Sequence, residues 1–126
     1  MKLKILSVED DGSVGEALIL LLTLLGHDVV LSANLESAVA EFKRTSFDLV
    51  MTDWNLKARF NGGDVLARLK EMSPGTPVIL VCSQSDPRPG FDAYVDKPFT
   101  KDQLAAAIKL AMRRMVPTEH LETTAV

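Results

Sequence analysis

The chain has 126 residues, 47% hydrophobic and 25% charged, a balance that fits one soluble globular domain and excludes a disordered chain. Its net charge is −3 and its basic residues are scattered apart from Arg113-Arg114, which argues against a nucleic-acid partner. The single cysteine, Cys82, excludes an internal disulfide, and the apolar stretch 17–25 falls short of the roughly 20 residues that a membrane span needs. A cytoplasmic protein with no membrane partner is expected.

Residues 3–8 form a first strand, apolar except for Lys4 and Ser7, that ends on Glu9-Asp10-Asp11. A helix over 13–25 follows, closed by Gly26, the residue type favoured just past a helix end. Residues 27–31, with Val29-Val30-Leu31, make a second strand, and Asn34 caps a helix through Arg44 with Ala38, Val39 and Phe42 at helical spacing. The stretch Phe47-Asp48-Leu49-Val50-Met51-Thr52-Asp53-Trp54-Asn55 is apolar enough for a strand covered on both faces, and it delivers Asp53 to its carboxyl end. Asn61-Gly62-Gly63 is expected to be a turn, before a third helix marked by Val65, Leu66 and Leu69 that ends near Met72.

Ser73-Pro74-Gly75-Thr76-Pro77 is a loop, 78–82 a fourth buried strand and Ala93-Tyr94-Val95 a short fifth. Between these two strands Pro87, Pro89 and Gly90 exclude a regular helix. Thr100 and Gln103 form a capping box for a last helix, with Leu104, Ile108, Ala111 and Met115 along one face. Pro117 ends it, leaving residues 1–116 as the domain and 117–126 as a flexible tail.

Strands alternating with helices predict an α/β fold, a flavodoxin-like doubly wound sheet of five parallel strands in the order 2-1-3-4-5, its fourth helix short or absent. That order sets the ends of strands one and three side by side, so Glu9-Asp10-Asp11 and Asp53 converge on one crevice. Several carboxylates cannot stay ionised together without a compensating charge, and a hard cation such as Mg²⁺ supplies it through oxygen ligands. One of the three acids after strand one is equally suited to capping the first helix. Asp96-Lys97-Pro98-Phe99 follows the last strand, where Lys97 offers a point charge for a phosphoryl group and a cis Lys97-Pro98 bond would aim it.

Three segments, Leu6-Ser7-Val8-Glu9-Asp10-Asp11, Asp48-Leu49-Val50-Met51-Thr52-Asp53 and Tyr94-Val95-Asp96-Lys97-Pro98-Phe99, resemble the signature segments of response-regulator receiver domains. The similarity runs from Lys2 to about Met115. The resemblance implies that Asp53 is the phosphoacceptor in two-component signalling, fed by a histidine kinase or a histidine phosphotransfer protein. It further implies that Asp10 binds Mg²⁺ directly, Glu9 through water and Asn55 through its backbone carbonyl. Lys97 would pair with the phosphoryl oxygens, and Tyr94 would be the aromatic whose rotamer tracks activation. Such a chain is no turnover enzyme; it signals through an unnamed downstream protein, and a homodimer stays open.

Three departures from that pattern stand out. Where the family has a Thr or Ser ending strand four this chain has Cys82, with Ser83 next, so either residue is a candidate for the phosphoryl contact. The fourth helix has lost its room, and the loop after Asp53 carries Lys57 where the family often has proline. Helical spacing also sets Leu18, Leu21, Leu22 and Leu25 toward the core and Leu20 opposite them, flanked by Ile19 and Leu24, which suggests a docking face. The alternatives are a small metal-dependent phosphohydrolase, disfavoured because Asn55 stands where a second acid would be needed, and a pseudo-receiver that binds partners without phosphorylation.

Overall fold

Residues 1–56, 59–83 and 88–113 of the computed structural model are described below. The elements in chain order are β1 (Lys4–Val8), α1 (Gly12–Leu24), β2 (Asp28–Ser32), α2 (Leu35–Arg44), β3 (Leu49–Asp53), α3 (Gly62–Met72), β4 (Val78–Cys82), β5 (Ala93–Asp96) and α4 (Lys101–Arg113). The strands form one parallel sheet in the order β2-β1-β3-β4-β5, as the alternation of apolar runs predicts. β4 leads to β5 with no helix among the described residues of the connection.

Alternation along the strands sorts the core into two layers. Ile5, Leu49, Met51, Ile79, Val81 and Val95 pack against Leu18 and Leu22 of α1 and Leu104, Ile108 and Ala111 of α4. On the other face Leu6, Val8, Val50, Val78 and Leu80 meet Ala38 of α2, Val65 and Leu69 of α3, and Phe91 from the β4–β5 connection. β3 lies at the centre with every residue buried, which is why its sequence runs apolar instead of alternating.

The helix ends follow their capping chemistry. Asp11 Oδ1 accepts hydrogen bonds from the Ser13 backbone N–H at 2.9 Å and the Ser13 hydroxyl at 2.7 Å, so Asp11 is the N-cap of α1 and not part of the acidic crevice. Asn34 caps α2 through the Ser37 N–H at 2.8 Å, and Thr100 with Gln103 forms the capping box of α4. Gly26 takes a φ of 93° just past α1, a conformation that costs glycine nothing.

Asn61-Gly62-Gly63 differs from expectation. It is no separate turn: Asn61 is the N-cap of α3, in a capping box with Asp64, and both glycines lie in the first helical turn. The reason is contact. A Cβ on Gly62 would sit 2.5 Å from the Asp53 carbonyl oxygen, and one on Gly63 would sit 2.9 Å from the Trp54 ring. The Gly62 N–H donates to the Trp54 carbonyl at 2.9 Å, so α3 begins pressed against the end of β3.

Along α1, Leu18 and Leu22 are buried and Leu21 and Leu25 pack beside them, while Leu20 is 60% and Leu24 64% exposed. Among the described residues no helix is long and apolar enough to cross a membrane. Lys57, Met115, Pro117 and the expected tail 117–126 lie outside the described residues.

At the opposite end of the sheet from Asp53, His27 Nδ1 accepts a hydrogen bond from the Leu3 N–H at 3.1 Å. Protonation at Nδ1 would break that bond, and burial, aided by the N-terminal ammonium, holds the imidazole below its ordinary value. The folded state therefore binds this proton less readily than the unfolded chain. The stabilisation is fully present above about pH 6.5 and is lost as the pH falls through the folded-state value. Unfolding by urea at pH 8 and pH 5 should show a smaller loss of stability on acidification in His27→Gln than in the parent; equal losses would refute the assignment.

Candidate functional site

Three strands deliver the site. β1 and β3 are neighbours with Val8 beside Thr52, so the next residues, Glu9 and Asp53, face each other where the sheet ends. Glu9 is held in line by its N–H donating to the Ser32 carbonyl at 2.8 Å, which extends the β1–β2 pairing. Lys97 continues β5 in the same way, its N–H donating to the Cys82 carbonyl at 2.7 Å. The Lys97-Pro98 bond is cis.

Alternation places Glu9, Asp53 and Lys97 on the sheet face covered by α1 and α4, and there they meet. Lys97 Nζ lies 3.0 Å from Asp53 Oδ2 and 3.2 Å from Glu9 Oε1. Both carboxylates are deeply placed, Glu9 at 3% exposure and Asp53 at 6%. Asp10 is half-buried beside them, and each of the three acids can bring an oxygen within 4.8 Å of the others.

Burial pushes the Glu9 carboxyl above its usual range, a hydrogen bond from the Asp11 N–H opposes that, and the Asp53 charge raises it further. Burial by itself would lower the Lys97 ammonium, but the hydrogen bond and charge of Asp53 and the charge of Glu9 outweigh it and raise it. Lys97 is thus held firmly as a cation. Glu9 and Asp53 flank it and Asp10 stands beside them, so carboxyl groups outnumber the ammonium in the crevice.

Glu9 Oε1 is buried and ion-paired at 3.2 Å, yet receives no well-directed hydrogen bond. A buried carboxylate oxygen with spare lone pairs, in a cluster of hard oxygen donors, fits Mg²⁺. Glu9, Asp10 and Asp53 are the residues that could hold it.

The other anticipated residues are distributed unevenly. Asn55 follows two residues after Asp53 on the exposed side of the turn. Cys82 pairs in register with Asp96, its Sγ 3.9 Å from Asp96 Oδ1, and packs against the α3-side core, on the sheet face away from the Asp53 carboxylate. The next residue in that alternation on the Asp53 side is Ser83. Tyr94 is 40% exposed, its ring edge-on to Phe91 at 6.0 Å, and its hydroxyl donates to the Arg88 carbonyl.

One feature had no signal in the sequence. The Trp54 ring lies against Gly63 and beneath the Arg88 guanidinium, whose carbon is 4.2 Å from the ring centroid. Nothing in local spacing links residues so far apart.

A model of the response regulator receiver domain matches residues 5–109. The chain belongs to the response-regulator receiver family. Receiver domains of this kind are signalling modules of two-component systems. The chain is 30% identical over 126 residues to the phosphate regulon transcriptional regulatory protein PhoB of Escherichia coli, covering 93% of this chain and 55% of PhoB. It is 32% identical over 121 residues to a probable transcriptional regulator, ycf27, of Porphyridium aerugineum, covering 90% of this chain and 50% of that one. The receiver therefore spans about half the length of the curated relatives it matches.

Among solved structures the receiver is similar to the response regulator TrrA of Thermotoga maritima, in complex with Mg²⁺-BeF, with 28% identity and a TM-score of 0.78 over 86% of this chain and 97% of TrrA. The chemotaxis protein CheY4 of Vibrio cholerae, 21% identical with a TM-score of 0.81 over 88% of this chain and 99% of that one, shares the fold.

Removing Lys97 leaves Glu9 and Asp53 buried against each other with no cation between them. Lys97→Ala should destabilise the receiver by about 1–3 kcal/mol, less than a fully buried pair because Lys97 keeps some solvent contact. Adding Glu9→Gln to that variant should recover part of the loss. Denaturant titrations of the two single variants and the double give the cycle, and additive effects would show that the pair does not interact.

Proposed function

We propose that this receiver is a Mg²⁺-dependent phosphoacceptor, phosphorylated on Asp53 by a histidine kinase or histidine phosphotransfer protein. The observation that carries the reading is Lys97 Nζ bridging Asp53 and Glu9, with Asp10 in reach. An Asp53 carboxylate oxygen attacks phosphorus as the bond from phosphorus to the donor's histidine nitrogen breaks. The phosphoryl group becomes an acyl phosphate on Asp53 and the imidazole nitrogen takes a proton. Such transfer needs positioning and stabilisation of charge on the phosphoryl oxygens more than covalent chemistry from its surroundings.

Lys97 serves that need, because its ammonium already lies against the Asp53 carboxylate, where it would meet the oxygens of a phosphoryl group placed there. Glu9, Asp10 and Asp53, with the Asn55 backbone carbonyl, would hold Mg²⁺, which when bound neutralises phosphoryl charge. The Mg²⁺-BeF complex of the TrrA relative supports this reading. Ser83 takes the hydroxyl contact to the phosphoryl group, since Cys82 is engaged with Asp96 on the other sheet face. Tyr94 and the β4–β5 connection present the response to a downstream protein.

Phosphorylation is tested by incubation with Mg²⁺ and a small acyl-phosphate donor, read by intact mass. The parent should gain one phosphoryl group and Asp53→Asn none; an unmodified parent, or equal modification of both, refutes the assignment. Ser83→Ala should slow the reaction more than Cys82→Ala, and the reverse order would return the contact to the cysteine.

For the donor protein we propose docking on α1. Its exposed Leu20 and Leu24 continue toward a groove of about 400 Å³ between Ser13, Val14 and Ala17 on one side and Lys97, Pro98 and Phe99 on the other. An apolar face that leads to the acceptor is suited to a partner that must bring a phosphohistidine to Asp53. Leu20→Glu should slow transfer from the cognate phosphodonor protein by roughly tenfold or more while leaving acyl-phosphate labelling unchanged. An unchanged protein-to-protein rate would remove α1 as the docking face.

A further inference from the structure

We infer that Arg88 acts as a strap, tying the turn after Asp53 to Tyr94 through its stack on Trp54 and its own carbonyl, so that occupation of Asp53 is felt at the β4–β5 edge. This rests on Asp53 being the phosphoacceptor. Trp54 follows Asp53 directly in the chain, and its ring is backed by Gly63, where any side chain would strike it. The Arg88 guanidinium lies over the same ring, its carbon 4.2 Å from the centroid. The Arg88 carbonyl in turn accepts from the Tyr94 hydroxyl. Trp54 just past β3, Arg88 in the β4–β5 connection and Tyr94 in β5 are thus joined in one short run of contacts.

The rest of the segment is built to lie close. Gly90 has a φ of 99°, and a Cβ there would approach Leu66 of α3 at 3.1 Å. Phe91 is buried in the α3-side core and meets Tyr94 edge to face. Phe91 is therefore the buried end of the segment and Arg88 the exposed one.

The coupling follows from what the Trp54 turn must do. That turn carries the Asn55 carbonyl, and an acyl phosphate on Asp53 with a cation held there would draw on both ends of it. The α3 start is pinned to the same backbone through the Gly62 N–H, so a shift of that turn is passed to the indole, the side chain that carries Arg88. A cation–π contact needs the cation within about 6 Å of the ring and is weak at an exposed site, so it gives before the backbone contacts do. Its loss frees the Arg88 carbonyl from Tyr94. A hydroxyl contact at the end of β4 is not required for this route.

Reciprocity makes the strap measurable: whatever phosphorylation does to the stack, losing the stack does to phosphoryl-mimic binding. Beryllofluoride with Mg²⁺ would be titrated into the full chain and followed by backbone amide NMR and hydrogen exchange. In the parent, binding should speed exchange across 88–92 and shift the Tyr94 resonances. Arg88→Ala, an exposed substitution that leaves the core intact, should bind beryllofluoride about two- to fivefold more tightly, the range that an exposed cation–π contact allows. Its 88–92 amides should already exchange fast and respond little further. Tyr94→Phe should act in the same direction, and the double variant should add nothing to Arg88→Ala.

Equal affinity in the parent and Arg88→Ala, or an unchanged response at 88–92, overturns the strap while leaving Asp53 as acceptor. Weaker binding in Arg88→Ala overturns it too, by showing that Arg88 favours the occupied state. A parent that binds no beryllofluoride overturns the acceptor reading itself.

Discussion

One ammonium holds the carboxyl end of this sheet together. Lys97 stands between Asp53 and Glu9, at 3.0 Å and 3.2 Å, in a place where neither acid has much water to fall back on. Much of the neighbourhood is arranged so that this contact can form. β1 and β3 must be adjacent to set the acids opposite each other, and the Lys97 N–H must join the Cys82 carbonyl to keep the lysine in line with β5. One ammonium among Glu9, Asp10 and Asp53 leaves carboxylate oxygens in excess, the donor set that a hard divalent cation prefers.

The second constraint is closeness at the end of β3. Gly62 and Gly63 let α3 begin against the Asp53 carbonyl and the Trp54 ring. β3 is therefore clamped by a helix on one sheet face while the Asp53 carboxylate lies on the other. Under the proposed function this separation would let the α1–α4 side meet a phosphodonor while the α3 side carries the consequences. Residues 88–92, leading into β5, lie on that second side, with Phe91 in the core and Arg88 on Trp54.

Most of the architecture was legible in the chain because parallel strands buried on both faces leave uninterrupted apolar runs, and 49–53 and 78–82 are such runs. The sheet order then brought Glu9 and Asp53 together without any knowledge of side-chain positions, and Leu20 was placed outside by helical spacing alone. What stayed hidden depended on contacts between distant segments. Gly62-Gly63 reads as a turn until Trp54 is seen to occupy the space that side chains there would need. Asp11 is indistinguishable by composition from its two acidic neighbours, and its capping bonds to Ser13 separate it. The choice between Cys82 and Ser83 could not be made from residue type, whereas strand alternation and the Asp96 contact favour Ser83. Arg88 on Trp54 carried no sequence signal at all, because a cation–π pair has no spacing rule.

The proposed chemistry comes down to one group, the carboxylate of Asp53. Borohydride reduction of the chain after labelling with an acyl-phosphate donor and Mg²⁺ would convert a phosphorylated aspartate to homoserine, and peptide mass spectrometry would locate it. Homoserine at position 53 and nowhere else is the result expected. Homoserine at another position, or none in a chain that is folded and supplied with Mg²⁺, would contradict the account.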